Sequence, residues 1–287
     1  SYKKGLNDVA EDQRWFATGN SMQGCPSKLR NTLCKGKYID VDMQNCGPMI
    51  LEQLCKKYDI DCPNLSDYNQ HREDRLNEFS PYLDRGQAKT LIIRLLNGGS
   101  VQEQEREEVD GVDWLPGFTK ELSKIRRKVA KEYPAIIGRY PTNKPNLDAK
   151  VVSALVYAEE NKILEQYYHF FKTTGIIKNG ECVLIFDGLM VRDSKCNREH
   201  LTTDFLCRAS KHVLESRVLG GYGCVKDYTD LLLTIRIKEF GEGYVLPADY
   251  ETTPGNFFVI TPGDDKAAAD ILTKAAGDRL VKCPTTL

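Results

Sequence analysis

Tyr38-Ile39-Asp40-Val41-Asp42-Met43-Gln44-Asn45-Cys46-Gly47-Pro48 is the stretch whose reading decides the fold. Residues 38–43 alternate apolar and acidic, the period of a strand with one face in a core. Side chains two apart share a face, so Asp40 and Asp42 point one way while Ile39 and Val41 point to the core. Pro48 then opens a helix over 49–58, with Ile50, Leu51 and Leu54 on one side. Asp42 therefore stands at a strand-to-helix turn. Two carboxylates on one face repel unless a cation lies between them, and hard divalent ions prefer such oxygens. An edge strand with solvated acids is the plainer reading of the same pattern.

Upstream, residues 1–37 are polar and turn-rich, and Ser27 is placed to cap a short helix reaching residue 33. Downstream, a mainly helical stretch starts near Leu65, breaks at Ser80-Pro81 and stops at Asn97-Gly98-Gly99. On it Arg85, Lys89, Ile93 and Asn97 fall four apart, along one helix stripe. Arg85 and Lys89 then present two cations side by side, suited to a triphosphate, and Gly98 permits close approach of a base pair. A solvated amphipathic helix with a glycine cap fits the same residues. Residues 100–112 are acidic and read as an exposed loop.

The segment 117–133 is a basic helix, with Lys124, Arg127 and Lys128 among its cations. It suits a nucleic-acid backbone or simply solvent. A long helix over 147–172 buries Val152, Leu155, Val156, Ile163, Tyr167 and Phe170. Two apolar strands, 182–186 and 189–191, flank Asp187-Gly188, a pattern that is also a plain hairpin. A helix over 202–216 and a strand over 231–240 follow. From Asp264 the composition turns Ala-rich, as if another domain began there and the chain were a fragment of something longer.

The 287 residues suffice for a substantial core, with 41% hydrophobic and 28% charged residues. A net charge of −1 speaks against a non-specific DNA coater but not against a local basic channel. No apolar run reaches spanning length, and the N-terminus lacks a secretory stretch. Ten cysteines include no C-x-x-C pair, and the four histidines are not at finger spacing, so reduced thiols in an intracellular protein are expected.

Three segments together resemble palm-type DNA polymerases. Asp42 with Pro48 six residues later is similar to motif A, in which Asp42 is the matching metal ligand; Asp40 has no counterpart there and is an outlying metal candidate. Arg85, Lys89 and Gly98 match motif B of family A, R-x-x-x-K-x-x-x-F/Y-x-x-x-Y-G, with Ile93 and Asn97 replacing its aromatic positions. Asp187 matches motif C, with Phe186 in place of His and Gly188 in place of the second acid. Tyr68-x-x-x-Arg72-Glu73 and Ser21-Met22-Gln23 extend the likeness to polymerase-like regions of large DNA virus and mobile-element replication proteins, where a primase-helicase region often follows.

The resemblance implies an α+β fold, a polymerase palm of antiparallel sheet on helices with a small helical fingers subdomain. Its parts are an N-terminal extension (1–37), the motif A strand and helix (38–63), helical fingers with motif B (64–99), the rest of the palm (100–262) and the start of a further domain (263–287). It implies two Mg²⁺ or Mn²⁺ ions about 4 Å apart on Asp42 and Asp187. Arg85 and Lys89 would hold the triphosphate, Lys89 also protonating pyrophosphate. The implied partners are primer-template, nucleoside triphosphates and a linked helicase, without a membrane. Both polymerase families exclude ribonucleotides with a bulky residue five after the motif A Asp; here that residue is Gly47, so weak sugar discrimination is expected. Two other classes stay open: a catalytically inactive palm that binds primer-template for a helicase, and a metal nuclease using Asp40, Asp42 and Asp187.

Overall fold

The computed structural model describes residues 2–4 (backbone), 14–17, 21–80, 82–141, 143–178, 181–215 and 233–245. The expected further domain over 263–287 lies outside these residues. The described elements, in order, are β1 (Tyr2–Lys4), β2 (Trp15–Ala17), α1 (Ser27–Cys34), β3 (Tyr38–Met43), α2 (Cys46–Lys57), α3 (Pro63–Gln70), α4 (Arg72–Asn77), α5 (Arg85–Leu96), α6 (Arg106–Val109), α7 (Leu115–Lys131), α8 (Pro134–Ile137), α9 (Leu147–Thr173), β4 (Cys182–Ile185), β5 (Gly188–Arg192), α10 (Lys195–His200), α11 (Thr203–Glu215) and β6 (Ile235–Lys238). The fold is α+β. Its principal sheet is antiparallel in the order β4-β5-β3-β6, and β1 and β2 form a separate antiparallel pair.

The alternation along β3 sorts its residues between two environments. Val41 and Met43 join Leu189, Val191, Leu184 and Ile235 in the main core against the helices. Asp40 and Asp42 lie on the opposite face, across from Met190 and Gly188 of β5 and from Lys238 and Arg236 of β6. Part of that face is covered by α1, whose Cys34 packs with Val183 and Met190. Asp40 lies under this cover, and burial, ahead of every other influence, pushes its carboxyl up to about 6. Asp42 stands at the open end.

Helix α9 is the central support and touches α2, α7, α8, α11 and β5. Its stripe Val151, Val152, Leu155, Ile163, Leu164, Tyr167 and Phe171 is buried; each such side chain contributes about 1.5–3 kcal/mol when removed from water. Phe170, expected with them, is half-buried against Phe205 and His212.

Several expectations are corrected. Helix α2 starts at Cys46, two residues before Pro48, because a proline in the first turn forfeits only an N–H that has no intrahelical partner. Ser27 is the first residue of α1 and makes no side-chain cap. Residues 103–109 are helical rather than loop, held by the burial of Val109 and Val112 and by the Arg94–Glu105 ion pair at 2.6 Å. The tip of the β4–β5 hairpin is Phe186-Asp187, not Asp187-Gly188: Phe186 takes the positive φ of 49°, and Gly188 enters the ladder opposite Asp42. Gly98 is committed to packing rather than to a base pair. Its φ is 84°, and a Cβ there would lie 2.3 Å from the Cβ of Ala149 on α9.

Candidate active site

The two acids of interest are brought together by backbone bonds. The Met43 N–H donates to the carbonyl of Asp187 at 3.1 Å, and the Gln44 N–H to that of Thr234 at 2.8 Å. The turn after Asp42 is thereby tied to the β4–β5 tip on one side and to the approach to β6 on the other. Gly188 faces Asp42 so closely that a Cβ would stand 2.7 Å from the Val41 carbonyl and 3.1 Å from the Asp42 carboxylate. No second acid could stand at 188 without displacing β3.

The turn continues through Asn45, which adopts a left-handed conformation (φ 50°). Its Nδ2 donates to Asn69 Oδ1 at 2.7 Å. Asn69 Nδ2 in turn donates to Glu52 at 2.6 Å, and Ser66 Oγ to the other Glu52 oxygen at 2.8 Å. This buried network fixes α2 against α3 and holds the strand-to-helix turn.

Asp42 and Asp187 open on a cleft of about 360 Å³. Its lining includes the apolar residues Pro48, Leu51, Ile93, Leu96, Val152 and Val156 and the charged residues Arg14, Arg72, Lys89, Glu160 and Arg236. The volume is that of a small-molecule site. Gly47 also lines it, and a Cβ there would meet only Val156, at 3.9 Å. Asn97 lines it as the cap of α5, donating to the Ile93 carbonyl at 2.9 Å and accepting from Ser153 at 2.9 Å.

Electrostatically the cleft is loaded. Burial first, then Asp42 and Glu160, push the Asp187 carboxyl up to about 7. Lys89 reaches solvent but is crowded by protein; this burial, then Arg72 and Lys238, hold its ammonium below the usual value. Arg72 has a buried Nε–H with no hydrogen-bond partner, an uncompensated donor of the kind that a bound oxyanion would satisfy.

Not every expected residue is in the cleft. Arg85 gives both arms of its fork to Glu73, at 2.8 Å each, and ties α5 to α4; Arg72 stands beside Lys89 in its stead. Asp40 is outside, beneath α1. Lys124, Arg127 and Lys128 lie exposed on α7, away from the cleft. Arg14, Glu160 and Arg236 were not anticipated. Glu160 had a visible signal: it falls at the i+4 step after Val152 and Val156, an acid on an apolar stripe.

Among the described residues no three His, Cys, Asp or Glu side chains gather at metal-holding distance. The all-oxygen pair Asp42 and Asp187 nevertheless fits Mg²⁺, which is commonly held by one or two carboxylates, with water and substrate phosphates completing the shell. Lys238 Nζ lies 3.2 Å from an Asp42 oxygen. No helix among the described residues is long and apolar enough to cross a membrane.

No protein-family model matches the chain. The chain is similar to the protein named "Putative helicase V13" of the Sputnik virophage, with 30% identity over 182 residues, covering 60% of this chain and 23% of that protein. It thus spans less than a quarter of the curated relative that it matches.

Proposed function

We propose that the chain is the palm-containing part of a template-directed nucleotidyltransferase, a DNA polymerase or primase-polymerase serving replication of a virus or mobile element. The observation that carries this reading is the pairing of Asp42 with Asp187 at adjoining strand ends, in one cleft with Lys89 and Arg72. The name of the virophage relative supports a replication setting and a helicase linked to or associated with this region.

In this reading Asp42 and Asp187 would hold two Mg²⁺ or Mn²⁺ ions, whose chemistry when bound would be to lower the pKa of a primer 3′-hydroxyl and to offset charge on the departing pyrophosphate. Lys89 and Arg72 hold the triphosphate against the carboxylates by charge-assisted hydrogen bonds. The lowered Lys89 ammonium is suited to give a proton to the leaving group. The apolar lining receives the base, and Gly47 leaves the sugar's 2′ side open. Arg85 acts at one remove, keeping α4 and Arg72 in register with α5. Lys124, Arg127 and Lys128 track the template backbone.

Extension of a labelled primer-template tests the reading. Mg²⁺- or Mn²⁺-dependent addition, abolished in Asp42→Asn and Asp187→Ala, is the expected result. A second reading, a palm that binds primer-template without chemistry, is favoured by the Lys238–Asp42 pair and by the missing acid at Gly188. Tight primer-template binding with no extension under either metal would establish it. Degradation without extension would instead point to a nuclease, a reading weakened by the seclusion of Asp40.

A further inference from the structure

Arg14, from the N-terminal part of the chain, lines the cleft. Its Nε and Nη2 donate to the two carboxylate oxygens of Glu160 at 2.5 and 2.7 Å. Glu160 is itself only 3% exposed. The guanidinium lies 3.9 Å from the ring centroid of Tyr157 and 5.3 Å from that of Phe186. Phe186 is the neighbour of Asp187 at the hairpin tip. The backbone around Arg14 is anchored as well: the Trp15 N–H donates to Asn161 on α9 at 3.1 Å, and Gln23 bridges Trp15 and Ala17.

A buried ion pair adds little net stability, because desolvation of both charges offsets their attraction. Stability alone is therefore a weak account of so well-held a cation. The fork is only partly used. Glu160 takes the Nε–Nη2 edge, and Nη1, with two N–H groups, has no hydrogen-bond partner among the described residues. Arg14 lines the cleft together with Asp42 and Asp187. An arginine fixed on one edge and stacked on its face presents its remaining donors with little conformational cost, and such donors match phosphate oxygens.

We propose that Arg14 is a phosphate-binding residue of this cleft, with Glu160 its positioning residue. The phosphate belongs either to an incoming nucleotide or to the backbone of a bound strand. This assignment rests on the nucleotidyltransfer reading for what enters the cleft, but it is tested by binding rather than by turnover.

The test titrates the whole chain, in Mg²⁺, with a nucleoside triphosphate, with the matching nucleoside, and separately with a labelled primer-template. Arg14→Met is expected to weaken the triphosphate or the primer-template by about tenfold or more, with nucleoside affinity kept within about twofold. The weakened arm identifies the source of the phosphate. Glu160→Gln is expected to give part of the same loss, and the double variant no more than Arg14→Met alone, since Glu160 acts through Arg14. Should Arg14→Met fail to fold, Arg14→Lys decides; it keeps the charge but not the fork, and a loss of about fivefold is expected.

Unchanged affinity for both phosphate-bearing ligands, in a variant that melts with the wild type, overturns the assignment. A wild type that binds triphosphate through Arg14 yet never extends a primer leaves the assignment standing and removes the polymerase reading. A wild type that extends primers with an indifferent Arg14 does the reverse.

Discussion

Single positions carry the sharpest consequences. Gly47 lines the cleft, and its missing side chain is not forced by packing, since a Cβ would make only an ordinary contact with Val156. Comparable incorporation of rNTP and dNTP is therefore expected; a dNTP preference above about a thousandfold, roughly 4 kcal/mol, would sink the idea. Gly47→Tyr should raise the dNTP preference by about tenfold or more, read from the ratio of kcat/KM values. Gly98 is the opposite case. Its positive φ and the approach of Ala149 both exclude a side chain, so Gly98→Ala should cost roughly 1–3 kcal/mol in denaturant unfolding. These two glycines look alike in the sequence. Only the neighbour each one meets separates the position with room for a side chain from the one without.

At the scale of elements, local rules served well where one periodicity governed a segment. Strand β3, the long helix α9 and the stop at Asn97-Gly98 follow from alternation, an apolar stripe and a left-handed glycine. The reading failed at 103–109, where an acidic composition hid the buried Val109, and at the hairpin tip, where Phe186 rather than Gly188 takes the strained conformation. Helix α7 buries Phe118, Leu122, Ile125 and Val129 and leaves Lys124, Arg127 and Lys128 in solvent. If that exposed face follows a nucleic-acid backbone, replacing the three cations with Gln should weaken primer-template binding. It should also reduce the slope of log affinity against log salt by about two to three. An unchanged slope would return α7 to a solvated surface.

For the molecule as a whole, buried carboxyls make stability depend on pH. The Asp187 carboxyl is held near 7 in the folded chain, above its usual range. The folded state thus keeps a proton that the unfolded state releases, and stability falls as pH rises between about 4 and about 7. Asp40, near 6, adds to the same trend. In the absence of added metal the melting temperature should decline from about pH 4 to about pH 7. Asp187→Asn should flatten that decline while abolishing extension. Mg²⁺ or Mn²⁺ should raise the melting temperature at the upper end in the wild type but not in Asp187→Asn. What the sequence by itself determined is what nearest neighbours along the chain dictate: Asp42 at the end of a strand, Asp187 in a hairpin, Lys89 on a helix running into a glycine stop. What only the tertiary structure decided is which charges meet. Arg85 is withdrawn onto Glu73, Arg72 stands in its stead, and Arg14 reaches Glu160 across 146 positions of chain. The physical reason is that backbone periodicity is local, whereas an ion pair depends on how separate elements pack around a common core.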